Sequence, residues 1–356
     1  MIQLVLDDTH TAQQLFPFTL TRSSADIRIG ILTIRQKWER LLGIKVRVNG
    51  DGYLDPPLAE TQPVLFAGNI VPSRAFVDNL LKGSYPQEDF LKQSGIRMLE
   101  HPWHIFEYND WALREDFALL TAGRQSQPLP ASVSATNPAD IFIEEGAKLQ
   151  HCMLNAAAGP IYIGRNSEVM EGASIRGPFA LCEGAAVKMG ARIYGATTIG
   201  PYCLVGGEIK NAVIFGYSNK AHDGYLGDAV IGEWCNLGAG TTNSNIKNTA
   251  SNVKIWDGAK NEFAVAGLKC GLLMGDYSRS SINTSFNTGT VVGACANIFG
   301  AGLMPKYIPS FSWGGQQAVK YDFEKALRDI GNWKKLKNQL LTEQEIQRLQ
   351  HIFERD

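Results

Sequence analysis

Residues 161–205 read IYIGRNSEVMEGASIRGPFALCEGAAVKMGARIYGATTIGPYCLV. From Ile163 onward every sixth residue is aliphatic: Ile163, Val169, Ile175, Leu181, Val187, Ile193, Ile199 and Val205. A second train follows at Ile231 and Leu237, and a third runs through Met274, Ser280, Phe286, Val292 and Ile298. Four residues after each of these stands a small side chain, among them Ser167, Ala173, Ala185, Thr197, Cys203, Cys235 and Thr284; Phe179 and Ile209 are exceptions. Neither an amphipathic helix nor an alternating strand repeats every six residues. A solenoid of short parallel strands does, because each hexad is one side of a triangular coil. The aliphatic residue fills the narrow axis and the small one fits the corner beside it.

The chain has 356 residues, enough for two domains. Its 34 basic and 35 acidic side chains leave a formal net charge of -1, which argues against nucleic acid or a membrane surface as partner. No apolar run approaches the roughly 18 residues of a membrane span. The opening Met1-Ile2-Gln3 leads quickly to Asp7-Asp8, unlike a secretory signal. The six cysteines stand singly, without a CxxC pair or a His/Cys cluster, so no metal site is expected. Cys203 and Cys235 fall on small-residue positions and read as packing. A reduced cytoplasmic protein is the expectation.

Three regions separate along the chain. Residues 1–125 read as mixed α/β, with a strand at Ile2 to Leu6 and a buried strand at Val64 to Gly68. Thr33 to Gln36 makes a capping box that opens a helix ending at Gly43, and another helix follows Pro72. A polar, Pro-containing linker is expected over 126–139, the solenoid over 140–308 and a helical tail over 309–356. In the tail Thr342 and Glu345 form a second capping box, and the helical stripes are expected to pack on the solenoid and close an end. The hexad register breaks near Tyr217 to Tyr225, where extra residues are expected, and again in a longer excursion from about Ser244 to Leu273. The second break holds Val253 to Gly258, a strand with an Asp-Gly turn, and predicts a projecting hairpin.

Between the first two trains lies Ser218-Asn219-Lys220-Ala221-His222-Asp223-Gly224-Tyr225-Leu226-Gly227-Asp228, followed by Asn236-Leu237-Gly238-Ala239-Gly240-Thr241. These residues resemble the acetyltransferase half of the bifunctional N-acetylglucosamine-1-phosphate uridyltransferase/glucosamine-1-phosphate acetyltransferase family (GlmU). There a histidine shortly before Tyr-Leu-Gly-Asp, with Asn-x-Gly-Ala-Gly-Thr beyond, marks the active coil. Pro17 to Arg35 and Ile308 to Gly315 extend the likeness to a divergent branch of that family, over nearly the whole chain. The resemblance implies an α/β nucleotidyltransferase-like domain followed by a left-handed parallel β-helix and C-terminal helices. It also implies His222 as the catalytic base and Arg192 and Lys210 as phosphate ligands, with Glu208 beside them. Tyr225, Asn236 and Asn245 become substrate-binding residues, and acetyl-CoA the co-substrate. In the related acyltransferases a neighbouring subunit completes the site, so a homotrimer is expected.

The residue types suit that chemistry. Acetyl transfer to a sugar amine needs a base near neutral pKa, which imidazole supplies. A sugar phosphate calls for paired cations, and arginine offers a planar fork where lysine offers a point charge. Gly238, Ala239 and Gly240 keep the surface low enough for the arm of acetyl-CoA and can turn a backbone amide to its thioester carbonyl. Without the surrounding match, the histidine would read as solvated, the cations as surface charge and the asparagines as turn residues.

The first domain departs from nucleotidyltransferases at the places that matter. Setting Pro17-Phe18-Thr19 on the family's Pro-Leu-Thr puts Asp8 to Gln14 on the triphosphate loop, where no glycine stands and Gln14 replaces the arginine. Ser23-Ser24 replaces the Pro-Lys pair. Asn69 replaces the aspartate that holds Mg²⁺, and an amide is a weaker metal ligand. Arg22, Arg28 and Arg35, with Asp26 nearby, either hold a nucleotide's phosphates in another geometry or form a buried ion-pair network. Three functions stay open: an acetyltransferase on glucosamine-1-phosphate, a UTP- or dTTP-dependent nucleotidyltransferase with an accessory solenoid and Mg²⁺, and a non-catalytic sugar-nucleotide-binding scaffold.

Overall fold

The aliphatic trains stack on one another every third hexad. In the computed structural model, which describes residues 4–50, 53–54, 64–82 and 95–355, Ile163 pairs in register with Leu181 and Leu181 with Ile199. Val169 lies on Val187, and Ile175 on Ile193. Each of these side chains is buried in one continuous core along the coil axis. The result is a three-faced parallel β-solenoid of the left-handed β-helix class. Paired strands begin at Ser134–Thr136, inside the stretch expected as linker, and reach Ser312–Trp313, past the expected solenoid end. The last of these strands pairs antiparallel with Val319–Lys320, so a hairpin covers that edge.

Coil length varies. Ser174 pairs with Arg192 eighteen residues on. Arg192 then pairs with Glu208 after only sixteen, and Leu204 with Asn219 after fifteen. The first register break is therefore a shortening of the coils, not the extra residues expected near Tyr217 to Tyr225. The second is an insertion, since Val230 pairs with Leu273 across it. The inserted strands Val253–Asp257 and Glu262–Gly267 form the expected antiparallel hairpin. It does not project freely: Val253 and Ile255 are fully buried against the N-terminal domain, and Trp256 stacks on Tyr307 at 4.7 Å.

The N-terminal domain is a short sheet in the order Tyr53–Leu54, Arg47–Gly50, Leu4–Asp7, Val64–Ala67, with the last three parallel. The expected strand start at Ile2 lies outside the described residues. Val64–Ala67 is an edge strand rather than a buried one, with Leu65 58% exposed. Helix Ile34–Leu42 carries the full capping box of Thr33 and Gln36 and ends on Gly43 at φ +69°. Trp38 of this helix packs on Phe66 and Phe76. The domain's core runs without a break onto the coil, because Val213, Val230, Leu273 and Val291 turn outward there and are fully covered. Helix Asn109–Thr121 covers an adjoining stretch, where Asn109 donates to the Ala196 carbonyl at 2.9 Å.

Helices Phe323–Lys335 and Glu343–Arg355 lie along one corner of the coil instead of closing an end. That corner presents Tyr217, Trp234, Tyr277 and Phe311, all with positive φ, and Tyr217 stacks on Trp234 at 4.4 Å. The large rings give the helices an apolar seam. Among the described residues no helix is long and apolar enough to cross a membrane. All six cysteines are free and buried.

Candidate active site

The strands at 192–194, 208–210 and 225–227 are successive rungs of one face. Arg192 pairs with Glu208 and Glu208 with Tyr225; two residues along, Tyr194 pairs with Lys210 and Lys210 with Gly227. Between these rows Ile193, Ile209 and Leu226 point into the core and are buried, so alternation turns both flanking rows outward. Rungs about 4.8 Å apart bring Arg192, Lys210 and Tyr225 onto one patch. Tyr194 donates its hydroxyl to Glu208 at 2.6 Å, and the Lys210 ammonium stands 5.9 Å from the Tyr194 ring centre. That hydrogen bond, with burial, holds the Tyr194 phenol above its ordinary range.

At the far edge of the patch Asn245 donates to the Tyr225 hydroxyl at 3.1 Å and to Asp228 at 2.5 Å. Asn211 donates to the other Asp228 oxygen at 2.7 Å. Burial, then the Asp228 charge, pushes the Tyr225 phenol up to about 12, so it is a proton donor at neutral pH. Glu107, at the end of helix His104–Glu107 in the N-terminal domain, feels the same carboxylate. Burial and then Asp228 raise its carboxyl above the usual range.

His222 stands in the turn that leads into Tyr225 and is exposed. Its ring makes no hydrogen bond to the described residues. Glycines press this turn from both sides: a Cβ on Gly207 would stand 2.8 Å from the His222 carbonyl, and one on Gly224 would stand 2.0 Å from the Thr241 carbonyl. Gly238, Ala239 and Gly240 form the same corner one coil on. Gly238 N–H donates to Ser280 and Gly240 N–H to Asp223, whereas the Ala239 N–H makes no hydrogen bond to the described residues.

Asn236 does not join the patch. It lies on the adjacent face, in line with Asn219 and Arg279, and accepts a 3.3 Å hydrogen bond from Asn219. A cleft of about 550 Å³ lies between the helices of the N-terminal domain, lined in part by Lys37, Ser73 and Asp116, and contains none of these residues. In the single chain the His222 corner is open surface.

The residues expected to hold a nucleotide are otherwise engaged. Arg22 leaves its own domain to form a buried ion pair with Asp276 of the coil, with a second contact to Glu233 at 3.0 Å. Arg28 donates to the Ile31 carbonyl. Asn69, 1% exposed, donates to Leu99 at 3.1 Å, and its Oδ1 has no partner among the described residues. Among the described residues the three share no partner. Asp8, buried at the end of strand Leu4–Asp7, takes the backbone N–H and hydroxyl of Ser24 and the hydroxyl of Thr11. These residues do not fit a Mg²⁺ site: Asn69 offers an amide where the family's aspartate would bind the ion, and Asp8 is already engaged by the Ser24 and Thr11 donors.

Two residues that sequence reasoning passed over matter here. Lys220 and Asn243 occupy interior positions of the coil where the hexad pattern calls for aliphatics, and both are buried. Asn243 clamps Gly227, accepting its N–H at 2.9 Å and donating to its carbonyl at 3.1 Å. Their polarity at an axial position was the available signal.

Residues 3–94 match the sugar nucleotidyl transferase family. The chain is 24% identical over 218 residues to the bifunctional protein GlmU of Synechococcus elongatus, covering 55% of this chain and 44% of that one. It is 33% identical over 164 residues to the GlmU of Trichodesmium erythraeum, covering 45% and 31%. Among solved structures, the Francisella novicida UDP-N-acetylglucosamine acyltransferase aligns at 14% identity and a TM-score of 0.36, over 64% of this chain and 84% of that one. The chain thus spans less than half the length of the GlmU relatives it matches.

Proposed function

As a divergent GlmU-like protein, this chain is, we propose, an acetyl-CoA-dependent N-acetyltransferase acting on an amino-sugar phosphate, most concretely glucosamine-1-phosphate. The observation that carries this reading is the single outward patch of Arg192, Lys210 and Tyr225 ending at the His222 turn. A structural solenoid has no use for two cations beside an open histidine.

In this reading the Arg192 guanidinium and the Lys210 ammonium bind the phosphate. Tyr225 and Asn245 orient the sugar. The His222 imidazole takes a proton from the sugar amine as its nitrogen attacks the thioester carbon. Negative charge then gathers on the carbonyl oxygen, for which the Ala239 N–H is the free donor, flanked by Gly238 and Gly240. Collapse breaks the carbon–sulfur bond, and the imidazolium returns its proton to the CoA thiolate. The product is an N-acetylated sugar phosphate for nucleotide-sugar synthesis.

A homotrimer suits the open corner. Asn236, on the face adjoining the patch, would serve a neighbouring subunit's site. Six buried free cysteines agree with a cytoplasmic site of action. Nucleotidyl transfer is weak or silent in this reading. Asp8 sets a carboxylate where a triphosphate loop would offer N–H groups, and it takes the Ser24 amide for itself.

The test is a product assay with acetyl-CoA and glucosamine-1-phosphate, with and without UTP, dTTP and Mg²⁺. Acetylated sugar phosphate independent of nucleotide is expected. Nucleotide-sugar and pyrophosphate without acetylation would favour the nucleotidyltransferase. Binding of a sugar nucleotide with no product of either kind would favour a scaffold.

A further inference from the structure

We propose that Lys220 is the positioning residue for His222, an ammonium that rises from inside the coil and holds the turn that presents the imidazole. The proposal rests on the reading of His222 as the base. In the ladder Lys220 sits directly on Val205, in the column of the core that Leu237 continues. Val205 is fully buried, Leu237 is 2% exposed and Lys220 only 1%. An aliphatic side chain would satisfy packing at this height, as it does on either side. An ammonium there is strongly destabilising unless its donors are met. Two of its three donors are met among the described residues, both by main chain: Nζ donates to the His222 carbonyl and, at 3.2 Å, to the Asp223 carbonyl.

Those two carbonyls belong to the catalytic turn. The Asp223 carbonyl also accepts from Gly240 N–H at 3.1 Å, whereas the His222 carbonyl has Lys220 as its sole donor among the described residues. Backbone packs closely around the turn: a Cβ on Gly206 would stand 2.5 Å from the Ala221 carbonyl, and one on Gly207 2.8 Å from the His222 carbonyl. The lysine is thereby bonded to the turn that carries His222, three residues before Tyr225 of the patch. Burial brings its ammonium down to about 8, opposed by the nearby Asp223 charge, in keeping with a group held in the core for its donors.

Lys220→Met keeps the stem and removes the donors. Its melting temperature should equal or exceed that of wild type, because the core gains an apolar end. Amide hydrogen exchange over residues 221–224 should quicken about tenfold or more while neighbouring coils keep their protection. The acetylation kcat should fall about 10–100-fold, the usual cost of a small misplacement, with KM for both substrates within about threefold. Adding Lys220→Met to His222→Ala should slow the enzyme no further. Unchanged exchange in a folded Lys220→Met protein would overturn the proposal, as would a kcat within about twofold of wild type. Failure of both Lys220→Met and Lys220→Gln to fold would overturn it too, by making the lysine a requirement of the coil. An undiminished rate in His222→Ala would sink the base assignment instead, and the exchange measurement would still decide whether Lys220 holds the turn.

Discussion

Arg22 and Asp276, 254 positions apart in the chain, meet in a buried ion pair that fastens the N-terminal domain to the coil. Thr21 adds a 2.5 Å hydrogen bond to the same carboxylate, whose other oxygen accepts the Glu233 N–H at 2.8 Å. Removing the cation alone strands a buried carboxylate with too few donors. Arg22→Ala should therefore cost about 3–5 kcal/mol, read as a lower midpoint in denaturant. Arg22→Met with Asp276→Leu should recover most of the loss. If Arg22 instead serves a nucleotide, stability will hold and UTP affinity will fall.

The His222 ring is exposed and hydrogen-bonded to nothing described, so its loss should leave folding alone. His222→Ala should lower the acetylation rate by about 10²–10⁴-fold with the melting temperature near that of wild type. A variant keeping more than about a tenth of the rate would remove histidine from the mechanism.

Arg192 and Lys210 lie on neighbouring rungs with no salt bridge to a carboxylate among the described residues. Arg192→Ala and Lys210→Ala should each raise KM for the sugar phosphate far more than KM for acetyl-CoA. Equal effects on the two substrates would mean that these side chains shape the coil rather than hold a phosphate.

Glu345 accepts from Thr342 N–H at 2.8 Å, from the Tyr277 hydroxyl at 2.9 Å and from Lys334. Burial opposes its ionisation, but these donors prevail and hold its carboxyl below the usual range. A depressed folded-state pKa means stability that is fully present above the unfolded value of about 4.3 and lost as pH falls through the folded one. Glu345→Gln should be less stable than wild type at pH 7, and the gap should close on acidification below about pH 4. A gap that does not change with pH would assign the loss to packing.

Light scattering at micromolar concentration should give three times the chain mass of 39.0 kDa. In a mixed trimer, Asn236→Ala on one subunit should impair a site whose His222 belongs to another. A monomer with full activity would exclude a shared site.

The coil was legible because six-residue spacing has one cheap structural solution, and both capping boxes were legible because each is a local bond. The face on which a residue stands was not. Counting by sixes cannot reveal that the rungs from Arg192 to Glu208 and from Leu204 to Asn219 are shortened to sixteen and fifteen residues. That is why Asn236 could be assigned to the site but not to its side of the corner. Lys220 escaped notice because its methylene stem fits an aliphatic column, and its role depends on carbonyls beyond it. Arg22 pointed toward phosphate in the sequence, since nothing in its own neighbourhood names Asp276 as its partner.

The coil's outward Val213, Val230, Leu273 and Val291 bind the two halves to a common fate. Were the N-terminal domain's chemistry to decay, the gene could not simply shed it, for deletion would bare a greasy flank on the surviving half. Phe18 and Trp38, fully buried in that shared core, are thus constrained by the neighbour they cover. In the loop after that first strand, the exposed His10 and Gln13 carry no such constraint. A catalytic ancestor can in this way survive as upholstery.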